Sequence, residues 1–390
     1  MGLSDTRSDL KSFSLHTATP KPDAHRSRVP DLLFDDVREE RLEDIRSLLD
    51  SPQAIDANAP LHRVTVFLTY RCNLACPYCK TIARTKEELR ERPQKGVTFA
   101  FEDFEAMFLS HAGTPIRHLH FTGGEAALIR ELPRMIRLAK ERGTECVSIT
   151  SNGTLPPATY LAMLDAGIDE IRISLDAADP ALGKVLTHRD GAWTAATRTV
   201  QALSDARRRG ADFFLIINTV VSRDNRADLP RILAYLLSLG PDDIKLITDV
   251  DAKETLADFP ESENVRAQLA ALMASQPSDR YPLLRLKLQT VFSPQAIGLG
   301  RTHAQKDGTW RCYIPLTERT VDGVFYYPCS VYLREGGAPL GRISDPQRLQ
   351  REKSAAFVER GDCLTDPICA KYCLHCTKNY NIRCNEERRG

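Results

Sequence analysis

At 390 residues, with 42% apolar and 27% charged positions, the chain has the makeup of a folded globular protein with room for one large domain and a smaller one. Its 53 Lys and Arg against 52 Asp and Glu leave a net charge of +1, which argues against a nucleic-acid-binding surface as its main business. The N-terminus has no apolar segment of the secretory type, and no stretch approaches the ~18 unbroken apolar residues of a spanning helix, so the expectation is a cytoplasmic protein with neither a nucleic-acid nor a membrane partner.

Residues 1 to about 30 mix Ser, Thr, Pro, Asp and Arg without periodicity and read as a poorly ordered tail. From Asp31 to Leu49, Leu32, Leu33, Val37, Leu42, Ile45, Leu48 and Leu49 recur at roughly helical spacing, predicting an amphipathic helix within an N-terminal region of residues 1–60. Strands and helices then alternate. RVTVFLTY, IRHLHFTG, ECVSITSNG, IDEIRISLD, DFFLIINTVV and DIKLITDV read as strands. FEDFEAMFLSHA, LIRELPRMIRLAKERG, PATYLAMLDAG, AWTAATRTVQALSDARRRG and DLPRILAYLLSLG read as the intervening helices, several ending at a glycine such as Gly143, Gly167 or Gly210. Six strand–helix steps imply parallel pairing with right-handed crossovers. The fold class is therefore α/β, a partial (β/α)6 TIM-like barrel over residues 61–252, followed by a connecting segment (253–308, with a helix at ENVRAQLAALMAS) and a cysteine-rich domain (309–390).

Chemistry in such barrels gathers at the C-terminal ends of the strands. Cys72 follows the first strand, Gly123-Gly124-Glu125 the second, Ser151-Asn152-Gly153 the third and Ser174-Leu175-Asp176 the fourth.

Eleven cysteines in a cytosolic chain of this size favour metal or redox chemistry over a disulfide framework. Three lie within eight residues, Cys72, Cys76 and Cys79; seven lie between 312 and 384; Cys146 stands alone. Cys72-x3-Cys76-x2-Cys79 offers three thiolates from one tight loop, enough for three corners of a cubane iron-sulfur cluster with the fourth iron open to a reactant. A structural zinc loop is the alternative, although zinc usually recruits a fourth ligand.

LTYRCNLACPYCK, with an aromatic residue just before its third cysteine, resembles the signature of the radical S-adenosylmethionine (SAM) superfamily. The resemblance extends over roughly residues 60 to 250, through FTGGEAAL, ITSNG and ISLDAADPALGKVLTHRD, each at the end of a predicted strand. It implies a [4Fe-4S] cluster on Cys72, Cys76 and Cys79, with Tyr78 at the adenine side of SAM, Gly123, Gly124 and Glu125 receiving its amino group, and Ser151, Asn152 and Ser174 along its ribose or methionine part. Arg189 would reach the SAM carboxylate, or would simply be an exposed arginine after a strand. The implied reaction is reductive cleavage of SAM to methionine and a 5′-deoxyadenosyl radical, which takes hydrogen from an unactivated C–H bond. An electron donor such as flavodoxin or ferredoxin would be needed.

Cys312 and Cys329 flank YIPLTERTVDGVFYYP, a hairpin signal around Asp322-Gly323 that would bring the two cysteines together. With Cys373-x2-Cys376 the region resembles the twitch auxiliary-cluster domain, a shortened relative of the SPASM domain, which implies one further [4Fe-4S] cluster on Cys312, Cys329, Cys373 and Cys376. Cys363, Cys369 and Cys384 would partly hold a second auxiliary cluster, with Arg360 standing where a complete SPASM pattern has a cysteine; a zinc ribbon is the bland alternative. Cys146 reads as a small core residue, with hydrogen-atom donation in an epimerase as the alternative.

The barrel portion is similar to the molybdenum-cofactor GTP cyclase branch, but Thr65, His120 and Ile216 replace that branch's basic residues and its C-terminal Gly-Gly is absent, which argues against binding a triphosphate. An auxiliary cluster points to a net two-electron oxidation, dehydrogenation or crosslinking. With no room for a separate peptide-binding domain ahead of the barrel, the substrate expected is a small molecule such as a sugar or aminocyclitol. The alternatives are modification of a ribosomal peptide, epimerisation, and a non-catalytic metal-binding scaffold.

Overall fold

The computed structural model describes residues 42–79, 81, 98–111, 114–248, 259–291, 310–360, 362–363, 365–372 and 378–388. Six parallel strands follow one another in sheet order: β1 (Leu61–Thr69), β2 (Ile116–Gly123), β3 (Cys146–Ser151), β4 (Glu170–Ser174), β5 (Phe214–Val221) and β6 (Asp243–Thr248). The crossovers carry α1 (Phe101–Ser110), α2 (Leu132–Glu141), α3 (Pro157–Asp165), α4 (Pro180–Thr187), α5 (Ala192–Arg208) and α6 (Leu229–Ser238). The expected strands and helices of the barrel are all present, and α4 is an addition within the fourth crossover. α4 begins at Asp179, whose carboxylate accepts from the Leu182 amide, and has proline at its first position.

Each barrel strand separates its residues by face. Val64, Val66, Leu119, Phe121, Val147, Ile149, Ile171, Ile173, Leu215 and Ile217 join the main core with helix residues such as Phe104, Met135, Met163, Leu203 and Ile232. The alternate positions, which point to the other face, carry Thr65, His118, His120, Ser148, Glu170, Arg172 and Asn218, all buried. A parallel sheet packed on both faces would be apolar throughout, so the polar inner face belongs to a chamber rather than to a second hydrophobic layer. Its lower part is closed at β5 and β6 by α8 (Pro282–Val291), which follows α7 (Ser262–Ala274); Leu283 packs on Phe214 and Ile216. The Asp243 carboxylate accepts from the Leu283 and Leu284 amides at 2.9 and 3.1 Å, securing the start of α8.

The cysteine-rich region does not stand apart from the barrel. β7 (Glu318–Asp322) pairs in parallel with β1, and β8 (Phe325–Tyr327) and β9 (Gly341–Arg342) continue antiparallel, giving one nine-stranded sheet in the order β6-β5-β4-β3-β2-β1-β7-β8-β9. The hairpin expected around Asp322-Gly323 is present, but its first arm is shorter, because Ile314–Thr317 forms a helical turn. The remaining described helices here are α9 (Ser330–Arg334), α10 (Gln347–Glu359), a turn at Cys369–Tyr372, and α11 (Lys378–Glu387).

The join is reinforced by side chains. Tyr70 donates to Asp322 at 2.7 Å, and Phe67, Tyr70, Tyr327 and Leu333 pack together. Buried Arg319 donates to Gln350 Oε1 at 2.5 Å and to His111 Nε2 at 3.0 Å, while His111 Nδ1 lies 2.7 Å from the Met107 carbonyl. A carbonyl can only accept, so this histidine is the neutral Nδ1–H tautomer. Of the predicted N-terminal helix, residues 31–41 lie outside the described residues. Its end is a single turn, Glu43–Arg46, and Leu42, Ile45, Leu48 and Leu49 pack against Tyr313, Ile314 and Leu316.

Candidate active site

A cavity of about 300 Å³ opens at the C-terminal ends of the barrel strands. Cys72, Cys76 and Cys79 line it together with Tyr78, Gly123, Gly124, Ser151, Asn152 and Ser174. Residues predicted from four separate strand ends therefore meet around one space.

The loop bearing the three thiols is braced on both sides. The Ala75 amide donates to the Thr187 carbonyl at 3.2 Å, and Asn73 donates to Thr154 at 2.8 Å. Asn152 Nδ2 reaches Asn73 Oδ1 at 2.8 Å and Cys72 Sγ at 3.7 Å. Glycine is required where β2 ends against this loop. A Cβ on Gly123, at φ +141°, would lie 2.3 Å from the Thr69 carbonyl oxygen, and one on Gly124 would lie 2.3 Å from that of Arg71.

Burial raises the pKa of the Cys72 thiol and pushes that of Cys76 up to about 12. Such thiols favour their anionic form once a positive metal centre supplies the missing charge. Among the described residues, no three His, Cys, Asp or Glu side chains converge as ligands of a single ion would. The three thiols line one cavity and come from one loop, which is the kind of donor set an iron-sulfur cluster takes. The donor set thus fits an iron-sulfur cluster.

Two predicted residues occupy different places from those expected. Glu125 is buried and absent from the cavity lining; its carboxylate accepts from Ser151 Oγ at 2.7 Å, the Asn152 amide at 2.6 Å and the Ala127 amide at 2.9 Å. It therefore ties the β2 turn to the end of β3 rather than facing a ligand. Arg189 is also outside the lining and donates to the Asn73 carbonyl at 2.8 Å, bracing the cysteine loop from the exposed side. Cys146, buried at the first residue of β3, sits at the opposite strand end from the cavity, where it cannot pass hydrogen to a substrate there.

Among the lining residues given no role from the sequence are Asp176, Trp193 and Arg334. Asp176 accepts from the Tyr78 hydroxyl and from the Val220 amide, and burial raises its pKa to about 6. Trp193 donates to the Ala177 carbonyl at 2.9 Å and stacks on Tyr235. Arg334, at the end of α9, enters from the cysteine-rich region. Asp176 closes a motif already noted; nothing in the local pattern around Arg334 marks it.

In that region Cys329 opens α9, its sulfur accepting from the Tyr332 amide at 3.4 Å. Cys312 and Cys384 share the cluster of Tyr313 and Ile314, Asn381 donates to Cys312 Sγ at 3.4 Å, and the Cys363 amide donates to the Trp310 carbonyl at 2.8 Å. Cys369 begins its helical turn under the Asp366 carboxylate. The neighbours of Cys384 are thus those of Cys312, with which the spacing did not group it. Cys373 and Cys376 lie outside the described residues. None of the nine described cysteines is in a disulfide, and no helix among the described residues is long and apolar enough to cross a membrane.

The profile of the radical SAM superfamily matches residues 66–236. PqqA peptide cyclase of Ruegeria pomeroyi is 31% identical over 173 residues, covering 44% of this chain and 43% of that protein. A probable GTP 3′,8-cyclase of Sulfurisphaera tokodaii is 24% identical over 273 residues, covering 66% and 82%. The chain thus spans less than half the length of the peptide cyclase that it matches. The structure of Streptococcus suis SuiB bound to S-adenosylmethionine superposes with a TM-score of 0.53 at 12% identity, covering 86% of this chain and 70% of that one, which shows a shared fold. Residues 66–236 thus match the radical SAM superfamily, whose members use a [4Fe-4S] cluster and SAM.

Proposed function

We propose that this chain modifies a peptide, holding its catalytic [4Fe-4S] cluster through Cys72, Cys76 and Cys79 and oxidising or crosslinking the peptide after hydrogen abstraction. The observation that carries the cluster assignment is the meeting of these three thiols with Gly123, Gly124, Ser151 and Asn152 around one cavity. The peptide substrate is supported by the match to PqqA peptide cyclase over the barrel. The small molecule expected from the short N-terminal region has no such support.

With SAM bound, the cluster supplies reductive C–S cleavage and the 5′-deoxyadenosyl radical. The chain's own residues bind, orient and exclude water. Gly123 and Gly124, which let the β2 turn pack on the backbone of Thr69 and Arg71, would hold the SAM amino group, an ammonium that needs acceptors. Tyr78 would stand at the adenine side, the Asp176 carboxylate holds Tyr78 in place, and Trp193 lines the same cavity. Asn152 steadies the Cys72 sulfur, and Glu125 and Arg189 act one step back as positioning residues. In the C-terminal region, Cys312, Cys329, Cys373 and Cys376 are the proposed donors of an auxiliary cluster, and Cys363, Cys369 and Cys384 those of a second.

GTP cyclisation is the second reading, favoured by the named cyclase among the relatives. Against it, Thr65 is neutral, His120 is engaged by Ser148 at 2.7 Å and Ile216 is packed on Leu283, so none of the three offers a cation to a triphosphate.

The test is an anaerobic deuterium-transfer assay on reconstituted protein with SAM, reductant and deuterated peptides. Label in 5′-deoxyadenosine is the expected result, and Cys76→Ala should abolish 5′-deoxyadenosine formation. About eight irons per chain are expected if one auxiliary cluster forms and about twelve if two form. Zinc without iron, or label transfer from GTP alone, would overturn the reading.

A further inference from the structure

We propose that Thr150, His120, Ser148 and His118 form a proton relay running from the cavity into the barrel, and that it takes up the proton a substrate radical gives up on being oxidised. The inference rests on the oxidative reading above for the proton and on the structure for its route.

Hydrogen abstraction leaves a carbon radical, and turning that radical into a double bond or a crosslink removes one further electron and one proton. The electron passes to a one-electron acceptor of the iron-sulfur class, and the proton needs a base that the cavity reaches. Among the described residues that line the cavity, Asp176 is the single carboxylate, and both its oxygens already accept, from the Tyr78 hydroxyl and the Val220 amide. Thr150 lines the same cavity and opens a different path. Its Oγ1 lies 3.3 Å from His120 Nε2, His120 Nδ1 lies 2.7 Å from Ser148 Oγ, and that oxygen lies 2.7 Å from His118 Nε2. The chain is continuous and turns away from solvent: Thr150 is half-buried, His120 is 6% exposed, and Ser148 and His118 are fully buried.

The strands dictate this arrangement. His120 is in register with Ser148 on the parallel neighbour, and alternation sends residues 118, 120, 148 and 150 to the inner face. Two rings on β2 are thereby interleaved with two hydroxyls on β3. The same inner rows place Arg63 and Cys146 beside His118, Glu318 beside Arg63, Thr65 beside His120, and the buried Glu170–Arg172 ion pair beside Ser148 and Thr150.

A hydroxyl carries one hydrogen, so Ser148 donates to one imidazole and accepts from the other. A relay fed from the cavity fixes the direction: Thr150 donates to His120 Nε2, His120 Nδ1–H to Ser148, and Ser148 to His118 Nε2. When Thr150 takes a proton from the substrate, its own passes to His120 Nε2. The Nδ1 hydrogen of His120 then moves to Ser148, and the Ser148 hydrogen to His118. Thr150, His120 and Ser148 end with as many hydrogens as they began with, and the positive charge rests on His118.

The experiment uses the full, anaerobically reconstituted chain with its histidines labelled with heavy nitrogen. Long-range proton–nitrogen spectra read which ring nitrogen carries hydrogen, and His118→Gln and His120→Gln assign the signals. Both rings are expected in the neutral Nδ1–H form, with the His120 Nε2 signal moving in Thr150→Val and holding in Thr150→Ser. Hydrogen on His120 Nε2 would overturn the proposal, because that nitrogen could not then take a proton from Thr150. Turnover follows the same route, with peptide, SAM and reductant in deuterium oxide. The ratio of oxidised peptide to 5′-deoxyadenosine should fall about tenfold or more in Thr150→Val and His120→Gln. Deuterium should then enter the recovered peptide, as the stalled radical takes an electron from the reductant and a deuteron from solvent. Thr150→Ser should restore the ratio, which a merely structural role for the hydroxyl would leave unmoved. An unchanged ratio in Thr150→Val would overturn the relay and leave the base to be found elsewhere in the cavity. If the unaltered chain turns over no peptide, the peptide reading falls, while the ring tautomers still decide the relay.

Discussion

Glu125 offers a decisive perturbation, because Glu125→Gln changes almost no volume yet reverses one hydrogen-bonding group. The carboxylate accepts three hydrogens, from Ser151 Oγ and the Ala127 amide on one oxygen and from the Asn152 amide on the other. Glutamine can keep the first oxygen, but its NH2 must then face the Asn152 N–H. Losing a bond to a charged acceptor costs about 1.5–3 kcal/mol and leaving a buried donor unpaired about 1–3 kcal/mol, so about 3 kcal/mol or more is expected. That cost falls on the junction of the β2 turn with the end of β3. Hydrogen–deuterium exchange of a peptide covering β3 and Asn152 should therefore speed up by about two orders of magnitude if opening is local. SAM affinity should fall as a consequence of the loosened Asn152. Unchanged exchange at β3 with weakened SAM binding would refute the reasoning and return Glu125 to the direct ligand role that its motif suggests.

His111 should give a pH-dependent term in stability. Its pKa is lowered from 6.5 to about 3, by burial first and by Arg319 second, so the unfolded chain binds a proton that the folded chain does not. The sign follows: stability is complete above about pH 6.5 and falls as pH drops towards 3, with about 2 kcal/mol lost by pH 5. His111→Gln, with no proton to take up, should remove that slope in urea unfolding, and an unchanged difference between the two proteins from pH 7 to 5 would count against it. Gly124→Ala should displace the cysteine loop, since its Cβ meets only the backbone of Tyr70 and Arg71 within 2.8 Å. A loss of about 100-fold in single-turnover SAM cleavage is expected, and full activity would show that the loop yields without harm.

The barrel was legible because two periods coincide in its sequence. RVTVFLTY alternates Arg63, Thr65 and Thr69 with Val64, Val66 and Leu68, broken only by Phe67, and the helices between strands carry apolar residues such as Leu132, Met135, Ile136 and Ala139 at helical spacing. Motifs at successive strand ends bring Cys72, Gly123, Asn152 and Ser174 around one cavity because parallel strands deliver all their ends to one side. What a motif cannot reveal is which way a side chain turns. Glu125 and Arg189 sit beside the cavity yet point into the scaffold, a choice made by the partners around them: Ser151 and two amides donate to the first, and the Asn73 carbonyl accepts from the second. Arg334 was invisible for the complementary reason, since its place depends on β7 joining β1, a pairing between distant segments that no local pattern encodes.

That pairing also bears on how the protein is made. Tyr70 and Asp322, which bond across it, are separated by 252 residues. At ~5–20 residues per second, the ribosome needs on the order of tens of seconds to deliver the partner of a strand that emerged near the beginning. Through that interval β1 has β2 on one side and an open row of amides and carbonyls on the other, the sort of edge that recruits foreign strands. The hairpin is thus a late-arriving cover for the nascent barrel, and chains shortened ahead of Glu318 should be prone to aggregate even though every residue of the cysteine loop is present.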